Sequence, residues 1–293
     1  MKDFQLLTTR ELSAALQYLA SGSKVKLLAG GTDLLVDLAQ KSHRLAGIDY
    51  LLDISQIKEL KLIRVRDNRL EIGSLVTHTD LSENPLTRRY FPMLVQAARV
   101  IGSTQIRNRG TVGGNINHAS PAADLLPPLL ALRSEVELTA QGGSRVLPLS
   151  QFVTGPYQTC LRPDELLTTL RLPLPSPDYY GSFQRIGRRK AVTIARLSLA
   201  LVVRVTNGLF QDTRLVPGSA TPYPQPLARV EAALNNQAVA MLDLEEMGRL
   251  AGEEMVALSG ERWSTPYKKP ALASLVKKAL LAIMEEVAAD GKG

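Results

Sequence analysis

The sequence contains a single cysteine, Cys160, among its 293 residues. One thiol cannot form an internal disulfide, and it cannot supply a four-thiolate iron–sulfur centre or a CxxC zinc site. Long hydrophobic runs are also missing. The longest apolar stretch, Leu197 to Val203, is far shorter than the roughly 18 residues of a membrane-spanning helix, and arginines bracket it. Met1 to Gln5 carry an acid and no apolar signal-peptide core. We therefore expect a protein of the reducing cytoplasm without a membrane span.

Aromatic residues make up only 5% of the chain, and the basic residues are scattered. This composition argues against the stacking platforms that bind single-stranded nucleic acids. The net charge of +7 is compatible with a solvated basic surface or with a docking face for an acidic protein. With 45% hydrophobic and 22% charged residues the chain is typical of globular proteins, and its length allows about two domains.

The strong enzymatic signatures are absent. The sequence has no GxxxxGK[ST] phosphate loop, no GxGxxG turn, no HExxH motif and no GxSxG elbow. The three histidines, His43, His78 and His118, are too few and too far apart to argue for a metal site. We expect each of them to be a surface or structural residue.

Hydrophobic periodicity predicts an α+β protein in two parts. Thr8 and Glu11 are spaced as a capping box for a first helix. A strand over residues 24–28 leads through glycines into a helix, and Asp67-Asn68 and Asn207-Gly208 mark hairpins. Three prolines between 173 and 177 predict a linker. We therefore predict a first domain over 1–175, with lobes of about 1–55 and 56–175, and a second over 178–293, in which strands precede helices.

Two glycine-rich loops are the candidate binding elements. The first follows the strand at 24–28 and includes Gly30 and Gly31. The second runs from Asn108 to Asp124 and combines three glycines with hydroxyl and amide side chains. Glycines let the backbone approach a ligand closely, and N–H groups at a helix start bind anions. Asp124 could accept hydrogen bonds from sugar or ribityl hydroxyls. Together the loops predict a ligand with a pyrophosphate, whose identity the residues alone leave open.

Both loops also resemble a known family. The motifs Ala29-Gly30-Gly31-Thr32-Asp33-Leu34-Leu35 and Thr111-Val112-Gly113-Gly114-Asn115 … Ala119-Ser120-Pro121-Ala122-Ala123-Asp124 resemble those of the FAD-binding medium subunit of molybdenum hydroxylases, of the xanthine dehydrogenase and carbon monoxide dehydrogenase type. The resemblance covers nearly the whole chain. It implies a vanillyl-alcohol-oxidase-type (PCMH-type) FAD-binding domain of two lobes, followed by a small α+β domain like the flavoprotein C-terminal domain of carbon monoxide dehydrogenase.

The resemblance also implies the site residues. Both loops would hold the pyrophosphate and adenosine mainly by backbone, His118 and Asp124 would contact the cofactor, and apolar residues would lie near the flavin ring. Gln184 departs from the family, because many relatives have lysine at that position. The implied cofactor-binding set is Leu27, Leu28, Ala29, Gly30, Gly31, Thr32, Asp33, Leu34, Ile101, Gly110, Thr111, Val112, Gly113, Gly114, Asn115, His118, Asp124, Leu167 and Gln184.

The implied function is electron transfer through non-covalently bound FAD. In such complexes a large molybdenum subunit oxidises the substrate, a small subunit carries two [2Fe-2S] clusters, and the flavin passes electrons to NAD+ or another acceptor. The protein would supply binding, orientation and electrostatics rather than a catalytic residue. The basic run from Arg185 to Lys190 is a candidate docking face for the small subunit. Two alternatives are a self-contained flavin oxidase of the same fold and an assembly subunit that has lost FAD.

Overall fold

The computed structural model describes residues 4–42, 45–187 and 194–291. The chain begins with a small α/β lobe around a three-stranded parallel sheet in the order β1-β3-β2. Its elements are β1 (Gln5–Thr8), α1 (Leu12–Ala20), β2 (Val25–Leu28), α2 (Leu34–Ala39) and β3 (Tyr50–Asp53). Helix α1 buries Ala15, Leu16 and Leu19 against this sheet. The predicted strand–glycine loop–helix unit is confirmed as β2, the first loop and α2.

The predicted capping box at Thr8 is wrong. Thr8 pairs with Asp53 at the end of β1, and the parallel ladder holds it in an extended conformation. Helix α1 starts three residues later than a Thr8 cap requires. Its N-cap, Glu11, makes no side-chain capping hydrogen bond. Strand pairing therefore outweighed the local capping signal.

The second lobe is built on a five-stranded antiparallel sheet in the order β4-β5-β10-β6-β7. The hairpin turn at Asp67-Asn68 is confirmed, since both residues have positive φ angles, 49° and 56°. The strands are β4 (Ile63–Arg66), β5 (Arg69–Gly73), β6 (Glu135–Ala140), β7 (Gly143–Pro148) and β10 (Leu166–Pro173), with a separate hairpin of β8 (Val153–Gly155) and β9 (Gln158–Thr159).

Seven short helices cover the second lobe: α3 (His78–Glu83), α4 (Pro85–Tyr90), α5 (Pro92–Arg99), α6 (Thr104–Arg107), α7 (Val112–His118), α8 (Leu126–Ala131) and α9 (Leu149–Phe152). The segment 102–121, which shows no period in sequence, contains two of them. Each is stabilised by its cap: the Ser103 side chain accepts the Ile106 N–H, and the Thr111 side chain accepts the Gly114 N–H. Helices of one or two turns are too short for periodicity to reveal them.

The C-terminal part has strands first and helices after them, as predicted. Strands β11 (Tyr179–Gly187), β12 (Ala195–Thr206) and β13 (Leu209–Gly218) form an antiparallel sheet, followed by α10 (Ala228–Leu234), α11 (Leu244–Ser259) and α12 (Thr265–Ala289). One sheet face packs on these helices. The other, including Ala200 and Val202, joins the core of the second lobe. Burial on both faces explains why β12 is almost continuously apolar.

The division of the chain at 175–178 stays a prediction, because β11–β13 share a core with the second lobe. Within the described residues, no helix is both long enough and apolar enough to cross a membrane.

Candidate functional site

A cavity of about 570 Å³ lies where the first lobe, the second lobe and the start of β12 meet. Both glycine loops line it. The first contributes residues from Leu27 to Leu34, and the second contributes residues from Gly110 to Asp124. The volume falls in the range of roughly 300–1,000 Å³ that is usual for small-molecule and cofactor clefts. The structure thus brings the two loops to one site, although about 75 residues separate them in sequence.

The first loop presents a run of unused backbone donors. Among the described residues, the N–H groups of the five residues from Gly30 to Leu34 have no hydrogen-bond acceptor, and intrahelical bonding starts with Leu35 N–H to the Gly31 carbonyl. Gly31 takes a left-handed conformation with φ of +75°, which favours glycine. Successive N–H groups at the start of a helix form an anion-binding concavity. This loop is therefore suited to phosphate.

The two loops touch at Gly30. A Cβ atom added there would lie 2.7 Å from the carbonyl carbon of Arg109 and closer still to its oxygen. It would also lie 3.0 Å from the Cα atom of Gly110. Since both neighbours are backbone, neither can move without shifting the second loop. Glycine at position 30 is thus required for the close approach of the loops.

The second loop uses most of its backbone donors within the protein. The N–H groups of Val112 and Gly113 bond to the carbonyls of Val76 and Ser74, and those of Gly114 and Asn115 bond to Thr111. Gly113 packs against Ser74, where a Cβ atom would lie 2.7 Å from the Ser74 carbonyl oxygen. Within Gly110–Asn115 only the Thr111 N–H has no acceptor among the described residues. A ligand would therefore contact the side chains of this loop more than its backbone N–H groups.

Two residues of the cavity lining carry a buried acceptor without a partner. Asn115 Oδ1 and Asp124 Oδ1 are both buried, and neither has a hydrogen-bond partner in the described part of the chain. The other carboxylate oxygen of Asp124 accepts a hydrogen bond from Arg185 Nε at 3.1 Å. Burial raises the pKa of Asp124 from 3.8 to about 6, although Arg185 acts in the opposite direction. An unpaired buried acceptor is costly, which favours a ligand that donates to it.

His118 connects the two loops at the cavity wall. Its Nε2 lies 3.9 Å from Asp33 Oδ1, which belongs to the first loop. Its ring also meets the ring of Tyr157 edge to face, with centroids 5.2 Å apart. Tyr157 lies in the turn between β8 and β9 and lines the cavity as well. No motif in the sequence pointed to it.

Five of the expected residues lie outside the cavity lining: Leu28, Val112, Gly113, Leu167 and Gln184. Of these, Val112 and Leu167 belong to the hydrophobic core, and Gln184 Nε2 donates a hydrogen bond to Ser182 on β11. Ile101, His118 and Asp124 line the cavity together with the other expected loop residues. Of the basic run, Arg185 pairs with Asp124, whereas Arg188, Arg189 and Lys190 lie outside the described residues, as does His43.

His78 is a lining residue that the sequence did not indicate. It is the first residue of α3, is 3% exposed, and its Nδ1 has no hydrogen-bond partner among the described residues. Burial, with a smaller contribution from Arg107, lowers its pKa from 6.5 to about 4. It is therefore neutral at physiological pH. Asn117, within the second glycine loop, also lines the cavity, as do Ile106 and Ile194, and none of the three was among the expected site residues.

The residues present fit FAD. The cofactor carries a pyrophosphate, which needs donors, and the N–H run from Gly30 to Leu34 provides them. It also carries ribityl and ribose hydroxyls, which can donate to the unpartnered oxygens of Asn115 and Asp124. Apolar Ile101 and Ile106 give one part of the cavity the character that a flavin or adenine ring requires.

Comparison with known proteins agrees with this fit. Residues 2–175 match the family model described as the FAD binding domain in molybdopterin dehydrogenase, and residues 182–283 match the CO dehydrogenase flavoprotein C-terminal domain. The putative xanthine dehydrogenase FAD-binding subunit of Escherichia coli (strain K12) is 33% identical over 96% of this chain and 94% of its own. The nicotinate dehydrogenase FAD-subunit of Eubacterium barkeri is 29% identical over 98% of both chains.

The same relationship is visible in three dimensions. The solved carbon monoxide dehydrogenase from Hydrogenophaga pseudoflava superposes with a TM-score of 0.86 at 29% identity, covering 95% of this chain and 96% of that one. The expected fold, an FAD-binding domain followed by an α+β domain, is thereby confirmed. The chain therefore belongs to the FAD-binding family of the molybdopterin dehydrogenases, which are oxidoreductases, and its cofactor is FAD.

Proposed function

We propose that this chain is the electron-transfer flavoprotein subunit of a molybdenum-containing hydroxylase. It takes electrons from a small partner subunit with two [2Fe-2S] clusters and passes them to NAD+ or another acceptor. A large partner subunit with the molybdenum cofactor oxidises the substrate. The observation that carries the proposal is the run of unused N–H groups in residues that line a cavity shared by both glycine loops. The single cysteine supports a partner for the clusters and fits a cytoplasmic setting.

The first loop is assigned to the pyrophosphate. Its N–H groups are free, whereas those of the second loop are almost all engaged. The side chains of Thr111, Asn115, His118 and Asp124 are assigned to the polar remainder of the cofactor. Leu28, Val112, Gly113, Leu167 and Gln184 do not line the cavity, and we assign them a supporting role without cofactor contact. FAD is held non-covalently in this proposal, and the only thiol, Cys160, is not among the lining residues.

This chain's own residues bind and orient the cofactor and exclude water from part of it. FAD, when bound, supplies the redox chemistry, because its ring can accept electrons singly and release them as a pair. In the cavity wall, His78 adds no charge because it is neutral, and the Asp124 carboxylate is paired with Arg185. We assign no catalytic residue.

The proposal is tested in the assembled complex. The chain is co-expressed with the molybdenum and iron–sulfur subunits, and the visible absorbance of its flavin is followed after rapid mixing with the substrate of the molybdenum subunit. We expect the flavin to be reduced and then reoxidised by NAD+ or another acceptor, and acid precipitation to release the flavin into the supernatant. Reduction of the isolated chain by an organic substrate would identify a self-contained oxidase instead. Colourless protein that FAD cannot reconstitute would identify an assembly subunit.

A further inference from the structure

The start of helix α12 carries an indole that the chain leaves in solvent. Trp263 is 96% exposed, although tryptophan is on average one of the more buried residue types. Tyr267, one helical turn later, is 42% exposed, and Ile194 is 80% exposed. With three basic residues these form the surface that we call the tryptophan patch: Ile194, Arg196, Arg262, Trp263, Tyr267 and Lys268.

Direct contacts hold the patch together. The guanidinium of Arg196 lies over the Tyr267 ring, 5.0 Å from its centroid. Lys268 Nζ donates a hydrogen bond to the Ser219 carbonyl at 2.5 Å, and Ser219 Oγ donates to the Ala195 carbonyl. The beginning of α12 is thereby fixed against the beginning of β12. Trp263 lies two residues before this anchored helix, so a partner that buries the indole has little of the helix to order.

The patch adjoins the mouth of the FAD cavity. Ile194 belongs to both, because it lines the cavity and lies immediately before β12, two residues from Arg196. The Ser219 N–H, in addition, bonds to the carbonyl of Pro121 in the second glycine loop. Any protein bound on the tryptophan patch therefore lies next to the cofactor.

The three charged residues that define the patch are all basic. Within the described residues, Arg196, Arg262 and Lys268 have no carboxylate at ion-pair distance. Arg262 is close enough to Lys268 to lower its pKa, with burial as the larger cause. Unpaired cations around an exposed indole fit a partner with acidic groups around an apolar pocket. Tryptophan, tyrosine and arginine are also the residues that most often dominate binding energy at interfaces.

We propose that the tryptophan patch is the docking surface for the subunit that delivers electrons to the flavin, with Trp263 as its central anchor. The inference rests on the proposed function, because a donor must reach the cofactor and this patch is an exposed apolar surface that shares Ile194 with the cavity lining. The partner surface it fits is acidic, with a pocket for an indole ring.

The test uses the complex co-expressed with its iron–sulfur and molybdenum subunits. Dissociation of the iron–sulfur subunit on dilution is measured by mass photometry for wild type, Trp263→Ala and the double variant Arg196→Glu/Arg262→Glu. We expect Trp263→Ala to raise the dissociation constant by about 30-fold or more. The double variant should weaken association further at low salt and lose the salt dependence of the wild type.

Met241→Ala is the matched control. Met241 is 80% exposed and lies beyond the opposite end of α11, a 16-residue helix about 24 Å long. It should leave association unchanged. All variants should retain wild-type FAD content, because none of the residues Arg196, Arg262 and Trp263 lines the cavity.

Each outcome decides the proposal. A Trp263→Ala complex that dissociates like wild type overturns the docking surface. The proposal is also overturned if the isolated chain forms a dimer, or binds phosphatidylserine vesicles, and Trp263→Ala abolishes that binding. In either case the patch binds a second copy of the chain or a membrane instead. Failure of the wild-type chain to bind FAD or to associate at all would contradict the proposed function instead.

Discussion

Gly30→Ala is expected to remove most of the bound FAD. The added methyl group would overlap the backbone of Arg109, and so the first glycine loop can no longer contact the second. Overpacking against backbone costs about 1–3 kcal/mol, and the displaced loop carries the N–H groups assigned to the pyrophosphate. FAD content is read from the visible absorbance of the purified protein, and stability from its thermal unfolding without FAD.

Gly142→Ala is the matched control for this variant. Gly142 lies between β6 and β7, and a Cβ atom there would meet nothing within 4 Å. The same Gly-to-Ala change should therefore leave both FAD content and unfolding temperature at their wild-type values. A Gly30→Ala protein that binds FAD as wild type does would show that contact between the loops is not needed for the site.

Asp124→Asn is expected to weaken FAD binding by about tenfold to a hundredfold. The carboxylate oxygen Oδ1 is buried without a partner, while Oδ2 accepts from Arg185. An asparagine that keeps the bond to Arg185 presents an NH2 group where the ligand hydroxyl needs an acceptor. Hydrogen bonds to charged groups contribute roughly 1.5–3 kcal/mol, which sets the size of the effect. The exposed Asp164→Asn change serves as control, and fluorescence quenching of FAD gives the affinities.

The same residue predicts a pH dependence. Burial raises the pKa of Asp124 to about 6 in the flavin-free protein, above its unfolded value of 3.8. This carboxyl therefore stabilises the flavin-free fold at low pH, and that contribution declines as pH rises from about 4 to about 6. FAD hydroxyls favour the ionised form, so FAD affinity should rise about tenfold between about pH 5 and about pH 7. Asp124→Asn should abolish that rise; an unchanged slope would assign it to another group.

Much of this architecture could be predicted from sequence because it rests on local signals. The Asp67-Asn68 and Asn207-Gly208 hairpins formed where the turn residues indicated, and both glycine loops line one cavity. The strand-then-helix order of the C-terminal part was predictable for the same reason. Helices α6 and α7 were not, since each depends on one capping side chain rather than on periodicity.

Which of the two loops has free backbone N–H groups could be determined only from the three-dimensional structure. The glycine motif around Gly113 looks like a phosphate loop, yet its N–H groups bond to Ser74 and Val76 across the fold. Their role in packing depends on residues about 40 positions earlier in the chain. His78 and Tyr157 likewise reach the cavity by tertiary packing alone. Sequence motifs located the site, but only long-range contacts show which backbone donors are free.

The most direct test of the central claim is a titration of the flavin-free wild-type chain with FAD and, separately, with riboflavin. Riboflavin has the same ring and ribityl chain but lacks both the pyrophosphate and the adenosine. If the N–H run from Gly30 to Leu34 holds the pyrophosphate, FAD should bind one per chain, and riboflavin should bind at least about a hundredfold more weakly. Equal affinity for the two flavins would contradict the assignment of the first glycine loop to the phosphates.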